Sequence, residues 1–113
     1  MKSFVIPVLA AATLAAAIPA SAASASAGRQ LAGERGCLEC HAVDKEVWGP
    51  SFRQVAKYYR PLSDAHERVA KKILAGGAEH WGADRAMPPQ ATKTYPLEEA
   101  DAKRLADWIL KQK

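Results

Sequence analysis

Cys37, Cys40 and His41 fall within one short stretch, Cys37-Leu38-Glu39-Cys40-His41, with the spacing C-x-x-C-H. Two thiols three residues apart in a helical turn can each add to one vinyl group of a porphyrin, and the next residue is then held under the iron as an axial imidazole. That chemistry is covalent haem attachment, for which the spacing is specific. The other uses of paired thiols fit less well. A thioredoxin-type dithiol needs a βαβ context, and no Val/Ile-rich strand pattern surrounds these cysteines. A zinc site needs further ligands at suitable spacing, yet the remaining histidines are the isolated His66 and His80. A structural disulfide is sterically awkward at this separation and leaves His41 unexplained.

A second donor is offered by the segment Trp81 to Gln90, where Met87 is followed by Pro88 and Pro89. Proline fixes its own φ and biases the preceding residue toward extended geometry, so this loop has little freedom to lose. Such restriction suits a thioether, which is a weak, neutral donor. A methionine taken alone is more often a core filler. Beside a haem held by Cys37, Cys40 and His41, however, Met87 is the expected distal ligand, Met1 being the other methionine of the chain.

The elements that must position these residues read as helices throughout. A short first helix is predicted over Arg29 to Arg35, ending at Gly36. Ser51 is the expected cap of a second, with Phe52, Val55 and Tyr59 on one face and Pro61 as its stop. Ser63 is the expected cap of a third, with Val69 and Ile73 inward and an end at Gly76-Gly77. The last is predicted from about Leu97 to Gln112, with Glu98, Glu99 and Asp101 matching its dipole and Leu105, Trp108 and Ile109 forming an apolar stripe. Trp48 and Trp108 read as core or edge packing, and His66 and His80 as surface residues.

Lys2, the apolar run from Phe4 to Ile18 and the triplets Ala20-Ser21-Ala22, Ala23-Ser24-Ala25 and Ala25-Ser26-Ala27 read as a secretory leader. Residues 1–22 are expected to be removed, with cleavage points as late as residue 27, leaving 23–113 as a single domain in a bacterial periplasm. An uncleaved anchor is the alternative, but the run is short for a membrane span and Pro7 and Pro19 interrupt it. The remaining domain, about 90 residues, is small enough for an ordinary core to be marginal, so a buried haem would serve as core as well as reactive centre. The formal net charge of +4 falls by one unit when Lys2 leaves, and the basic residues are scattered at helix-surface spacing. Such a balance does not predict nucleic-acid binding.

From about Leu31 to Lys113 the chain resembles the small bacterial class I cytochromes c. The resemblance is carried by Arg35-Gly36-Cys37 through Asp44, by Gly49-Pro50-Ser51-Phe52, by Trp81-Gly82, by Met87-Pro88-Pro89 and by Leu105 to Leu110. It implies an all-α cytochrome c fold, four to five short helices around one covalently attached haem c, with His41 and Met87 on opposite faces. It further implies that the Pro50 carbonyl accepts a hydrogen bond from His41, and that Trp81 and Lys72 lie near the haem propionates. Three departures from the family pattern bear on the loop. The Trp81 to Met87 interval is one residue longer than the family pattern, Gln90 stands where asparagine often follows Met-Pro-Pro, and Lys72 stands at a position that arginine also fills in similar cytochromes. An apolar patch of Leu38, Val47, Pro88 and Pro89 at the exposed haem edge is implied as the contact for redox partners.

The function expected is therefore single-electron transfer between a donor and an acceptor protein, not enzymatic turnover, by a soluble monohaem c-type cytochrome without stable membrane insertion, as a monomer or within a redox complex. Two alternatives remain open at this level. One is a dedicated electron-accepting subunit of a periplasmic dehydrogenase, such as a sulfite dehydrogenase. The other is a haem enzyme or sensor with an open distal site, which requires Met87 to be uncoordinated.

Overall fold

Among the described residues, four α-helices carry the buried apolar side chains other than Leu97: α1 (Ala20–Glu34), α2 (Phe52–Tyr59), α3 (Ala65–Ala75) and α4 (Glu99–Leu110). The structure is a computed structural model describing residues 1–113, the side chain of Glu79 excepted. Among the described residues, β pairing is limited to one antiparallel bridge between Gly77 and Met87. The fold is all-α, as its periodicity predicts.

Helix α4 is the centre of the core. Its Ala102, Leu105, Ala106, Trp108 and Ile109 are buried, and α1, α2 and α3 all pack against it. The crossing with α1 is close because Gly28 has no side chain: a Cβ there would lie 2.3 Å from Cγ of Trp108. An ion pair between Arg35 and Asp101, 2.9 Å long and half-buried, ties the end of α1 to the start of α4.

Helix α1 begins well before the predicted Arg29. The Ala/Ser-rich run has high intrinsic helix propensity, so the helix extends back to Ala20, although residues 20–27 are exposed and Gly28 is its first buried position. Residues 1–19 carry no regular secondary structure, and Phe4, Leu9 and Leu14 are exposed. Among the described residues, no helix is long and apolar enough to cross a membrane.

Helix α2 starts as expected. The Ser51 hydroxyl accepts from the Gln54 N–H at 3.1 Å, and the Gln54 side chain accepts from the Ser51 N–H at 2.9 Å, a reciprocal cap that satisfies two end donors. Phe52 and Tyr59 are buried and Val55 packs beside them. Helix α3 departs from expectation at its start: the N-cap is Asp64, not Ser63, in a left-handed conformation that Asp tolerates (φ 56°). The Asp64 carboxylate accepts from Arg68 Nε at 2.9 Å rather than capping a backbone N–H. Helix α4 is two residues shorter at each end than predicted. Leu97 is spent as a buried lead-in, its N–H donating to Gln90 O at 3.0 Å.

Candidate functional site

The Cys37–Glu39 segment folds as a 3₁₀ turn directly after α1. The N–H groups of Cys40 and His41 both donate to Cys37 O, at 3.3 and 3.0 Å, which gathers the two thiols and the imidazole onto one turn. Both cysteines are free and half-buried. Burial pushes the Cys37 thiol above its ordinary pKa, with the nearby Lys93 charge and a backbone hydrogen bond acting the other way.

His41 is fixed on three sides. Its Nδ1 lies 2.6 Å from Pro50 O. A carbonyl only accepts, so Nδ1 carries the proton and Nε2 keeps its lone pair for another partner. Phe52 stacks on the ring at 5.1 Å and itself meets Trp108 edge-on at 5.2 Å, so the imidazole leans on the core. Gly49 closes the third side: a Cβ there would sit 2.6 Å from Cε1 of His41.

Opposing chain segments complete a cavity of about 200 Å³. Cys37, Cys40, His41, Pro50, Lys72, Trp81 and Met87, all singled out from the sequence, contribute to its wall. Met87 is half-buried and held by backbone bonds to Gly77. Gln90 turns its side-chain amide back onto Pro88 O at 2.7 Å, stiffening the loop it follows. Lys72 Nζ donates to Gly76 O at 3.1 Å, at the end of α3. Trp81 sends its indole to the cavity, while His80 stacks on Tyr58 at 3.7 Å and is not part of the wall. His66 is exposed on α3.

Trp48, 45% exposed and bordering the cavity, packs at its edge rather than in the core. Two features escaped the sequence. Arg85, in the longer Trp81 to Met87 interval, forms an ion pair with Glu46 and thus ties the loop before Met87 to the loop after His41. The Gly77–Met87 bridge had no signal in periodicity, because it joins two segments that are each irregular. Only the extra loop residue hinted that something there needed an anchor.

The residues present fit a haem attached through thioethers. The cavity wall is mostly apolar, two unpaired thiols border it, and an imidazole with a free Nε2 and a thioether lie on the same wall. A metal ion bound by the chain alone is not supported: among the described residues no three His, Cys, Asp or Glu side chains converge.

An all-α fold with this donor set around one apolar cavity defines a c-type haem protein. The Cytochrome c family profile matches residues 25–113, and the chain belongs to that family. It binds one covalently attached haem c. Cytochrome c-551 of Azotobacter vinelandii is 41% identical over 84 residues, covering 74% of this chain and 95% of that one. Cytochrome c-552 of Hydrogenobacter thermophilus is 42% identical over 81 residues, covering 72% of this chain and 76% of that one. The crystal structure of wild-type cytochrome c552 from Nitrosomonas europaea matches with a TM-score of 0.67 at 39% identity, over 75% of this chain and 99% of that one.

Proposed function

We propose that this protein is a periplasmic one-electron carrier in which Cys37 and Cys40 would form the thioether links and His41 and Met87 would supply the iron's protein donors. When bound, the haem supplies a one-electron iron couple. The chain's own residues do the rest. Pro50 O holds the His41 ring in one tautomer and raises its basicity as a ligand. Phe52 and Trp108 exclude water behind that ring. Backbone bonds from Gly77 keep Met87 in place, so both donors come from the protein and none is left to a substrate. A neutral thioether and an apolar surround both favour the less charged, reduced state.

Partner contact is assigned to the exposed patch of Leu38, Val47, Pro88 and Pro89, to which Trp48 adds a half-exposed ring. A small apolar patch suits the brief encounters of a redox donor and acceptor. Residues 1–22 act as the export leader, cut there or as late as residue 27, and 23–113 form the working domain.

The observation that carries this reading is that a tautomer-locked imidazole and a backbone-anchored thioether share one apolar cavity with two free thiols. Voltammetry and carbon monoxide titration of the holo-protein test it. A reversible one-electron wave with no carbon monoxide uptake at neutral pH is expected. Ready carbon monoxide binding, or a catalytic current with peroxide, would contradict it.

A further inference from the structure

We propose that the Gly76-Gly77 pair ending α3 is the positioning device for Met87, so that a helix end, and not the Met-Pro-Pro loop alone, keeps the thioether at the iron. The proposal rests on Met87 being the distal ligand.

Helix α3 gives a firm reference frame, since Val69, Ala70 and Ile73 are buried and the helix packs on α4. It closes with the Gly76 N–H donating to Lys72 O at 2.8 Å. Gly76 then adopts φ 68°, ψ −159°, a region that is essentially restricted to glycine. This turn aims Gly77 (φ 105°) at the distal loop. The Gly77 N–H donates to Met87 O at 2.8 Å and the Met87 N–H donates to Gly77 O at 3.1 Å. Both backbone polar groups of Met87 are thereby committed to the end of α3.

The two glycines contribute differently. A Cβ on Gly76 would lie 2.4 Å from Met87 O, 2.7 Å from Pro89 N and 2.9 Å from the Pro88 carbonyl carbon. These are backbone atoms of a proline-stiffened segment, so no side-chain rotation relieves the overlap and the loop itself must move. A Cβ on Gly77 would meet just the Lys72 ammonium at 3.4 Å, leaving the positive φ as the main obstacle. A displacement of roughly 1 Å is enough to spoil a site built on a single weak donor.

The test compares holo-proteins carrying thioether-bound haem. Its readouts are the near-infrared sulfur-to-iron band of the ferric state and the affinity for imidazole as an outside ligand. Gly76→Ala is expected to lose most of the band and to bind imidazole at least about tenfold more tightly, the scale of an overpacking penalty. Gly77→Ala should show a smaller change. Gly33→Ala, whose Cβ would make an ordinary 3.7 Å contact with Leu38, is the unchanged control. In a Met87→Ala background, Gly76→Ala should have no further effect on imidazole affinity, because it acts through Met87. An unchanged band in Gly76→Ala, a larger effect at Gly77 than at Gly76, or an additive effect in the Met87→Ala background would each overturn the proposal. If Gly76→Ala does not fold, hydrogen exchange of the unaltered holo-protein decides: the Gly77 and Met87 amides should be as protected as those of α3, and fast exchange would overturn it. Loss of the band in Met87→Ala but not in Gly76→Ala removes this inference alone, whereas a band that survives Met87→Ala removes the ligand assignment beneath it.

Discussion

The two sides of the haem cavity are held by different kinds of contact. On the His41 side the ring itself is held: a 3₁₀ turn gathers Cys37, Cys40 and His41, the Pro50 carbonyl accepts a hydrogen bond from the ring N–H, and Phe52 leans on the imidazole. On the Met87 side the backbone does the work: Gly77, at the end of α3, holds Met87 through its N–H and C=O, and the loop before Met87 is tied down by the exposed Arg85–Glu46 pair, which spans 39 residues. The imidazole is held through its own ring, by Pro50 and by Phe52 resting on Trp108. Met87 is held through its backbone, by Gly77. Under the proposed ligation, changes on the Met87 side should act on ligand access and changes on the His41 side on stability.

Removing the thioether attachment should have the largest effect. A Cys37→Ala, Cys40→Ala double variant loses covalent haem and with it the apolar body that fills the cavity, which leaves a small domain without much of its core. Far-ultraviolet circular dichroism should show most of the helical signal gone. A native-like spectrum with a cooperative melt would break the comparison.

Next, the two sides should respond unequally to single changes. Gly49→Ala puts a Cβ against the His41 ring and should destabilise the holo-protein by about 2 kcal/mol in denaturant unfolding. Arg85→Ala removes an exposed ion pair and should cost under about 1 kcal/mol, its effect appearing instead as faster imidazole binding to the ferric protein. Equal stability losses would mean that the sides are not built differently. Ser51→Ala removes the cap beneath Phe52 and should cost about 1 kcal/mol without altering imidazole binding.

The smallest effect lies away from both sides. Lys103 holds the Glu99 carboxyl below its ordinary pKa through a hydrogen bond and its charge, and Glu99 raises that of Lys103 in return. The Glu99 contribution is present above the ordinary glutamate pKa and fades as pH falls through the lowered one. The Lys103 contribution is complete below the ordinary lysine pKa and fades as pH rises through the raised one. Both groups are fully exposed, so the pair matters little. Lys103→Ala should shift the denaturation midpoint slightly at neutral pH and not in strong acid; a shift that persists in acid would point to a packing effect.

Legibility in the sequence follows the same division. The C-x-x-C-H turn, the Ser51 cap and the Leu105, Trp108, Ile109 stripe are written in neighbouring residues, and all were readable there. The α3 cap was misplaced by one residue because Asp64 adopts a left-handed conformation that no apolar period reports. The early start of α1 is hidden because the same Ala/Ser run reads as a cleavage region, while the alanines in it favour helix back to Ala20. The Gly77–Met87 bridge joins two irregular segments and the Glu46–Arg85 pair spans 39 residues, and neither pattern nor propensity encodes such pairings.

The central claim is that Met87 closes the iron's coordination, and the near-infrared spectrum of the ferric holo-protein tests it most directly. The unaltered protein should be low-spin with the sulfur-to-iron band, Met87→Ala should abolish the band, lower the potential and admit outside ligands, and His80→Ala should leave the band intact. A high-spin unaltered protein, or a band lost with His80 and kept without Met87, would contradict both the ligand assignment and the electron-carrier function built on it.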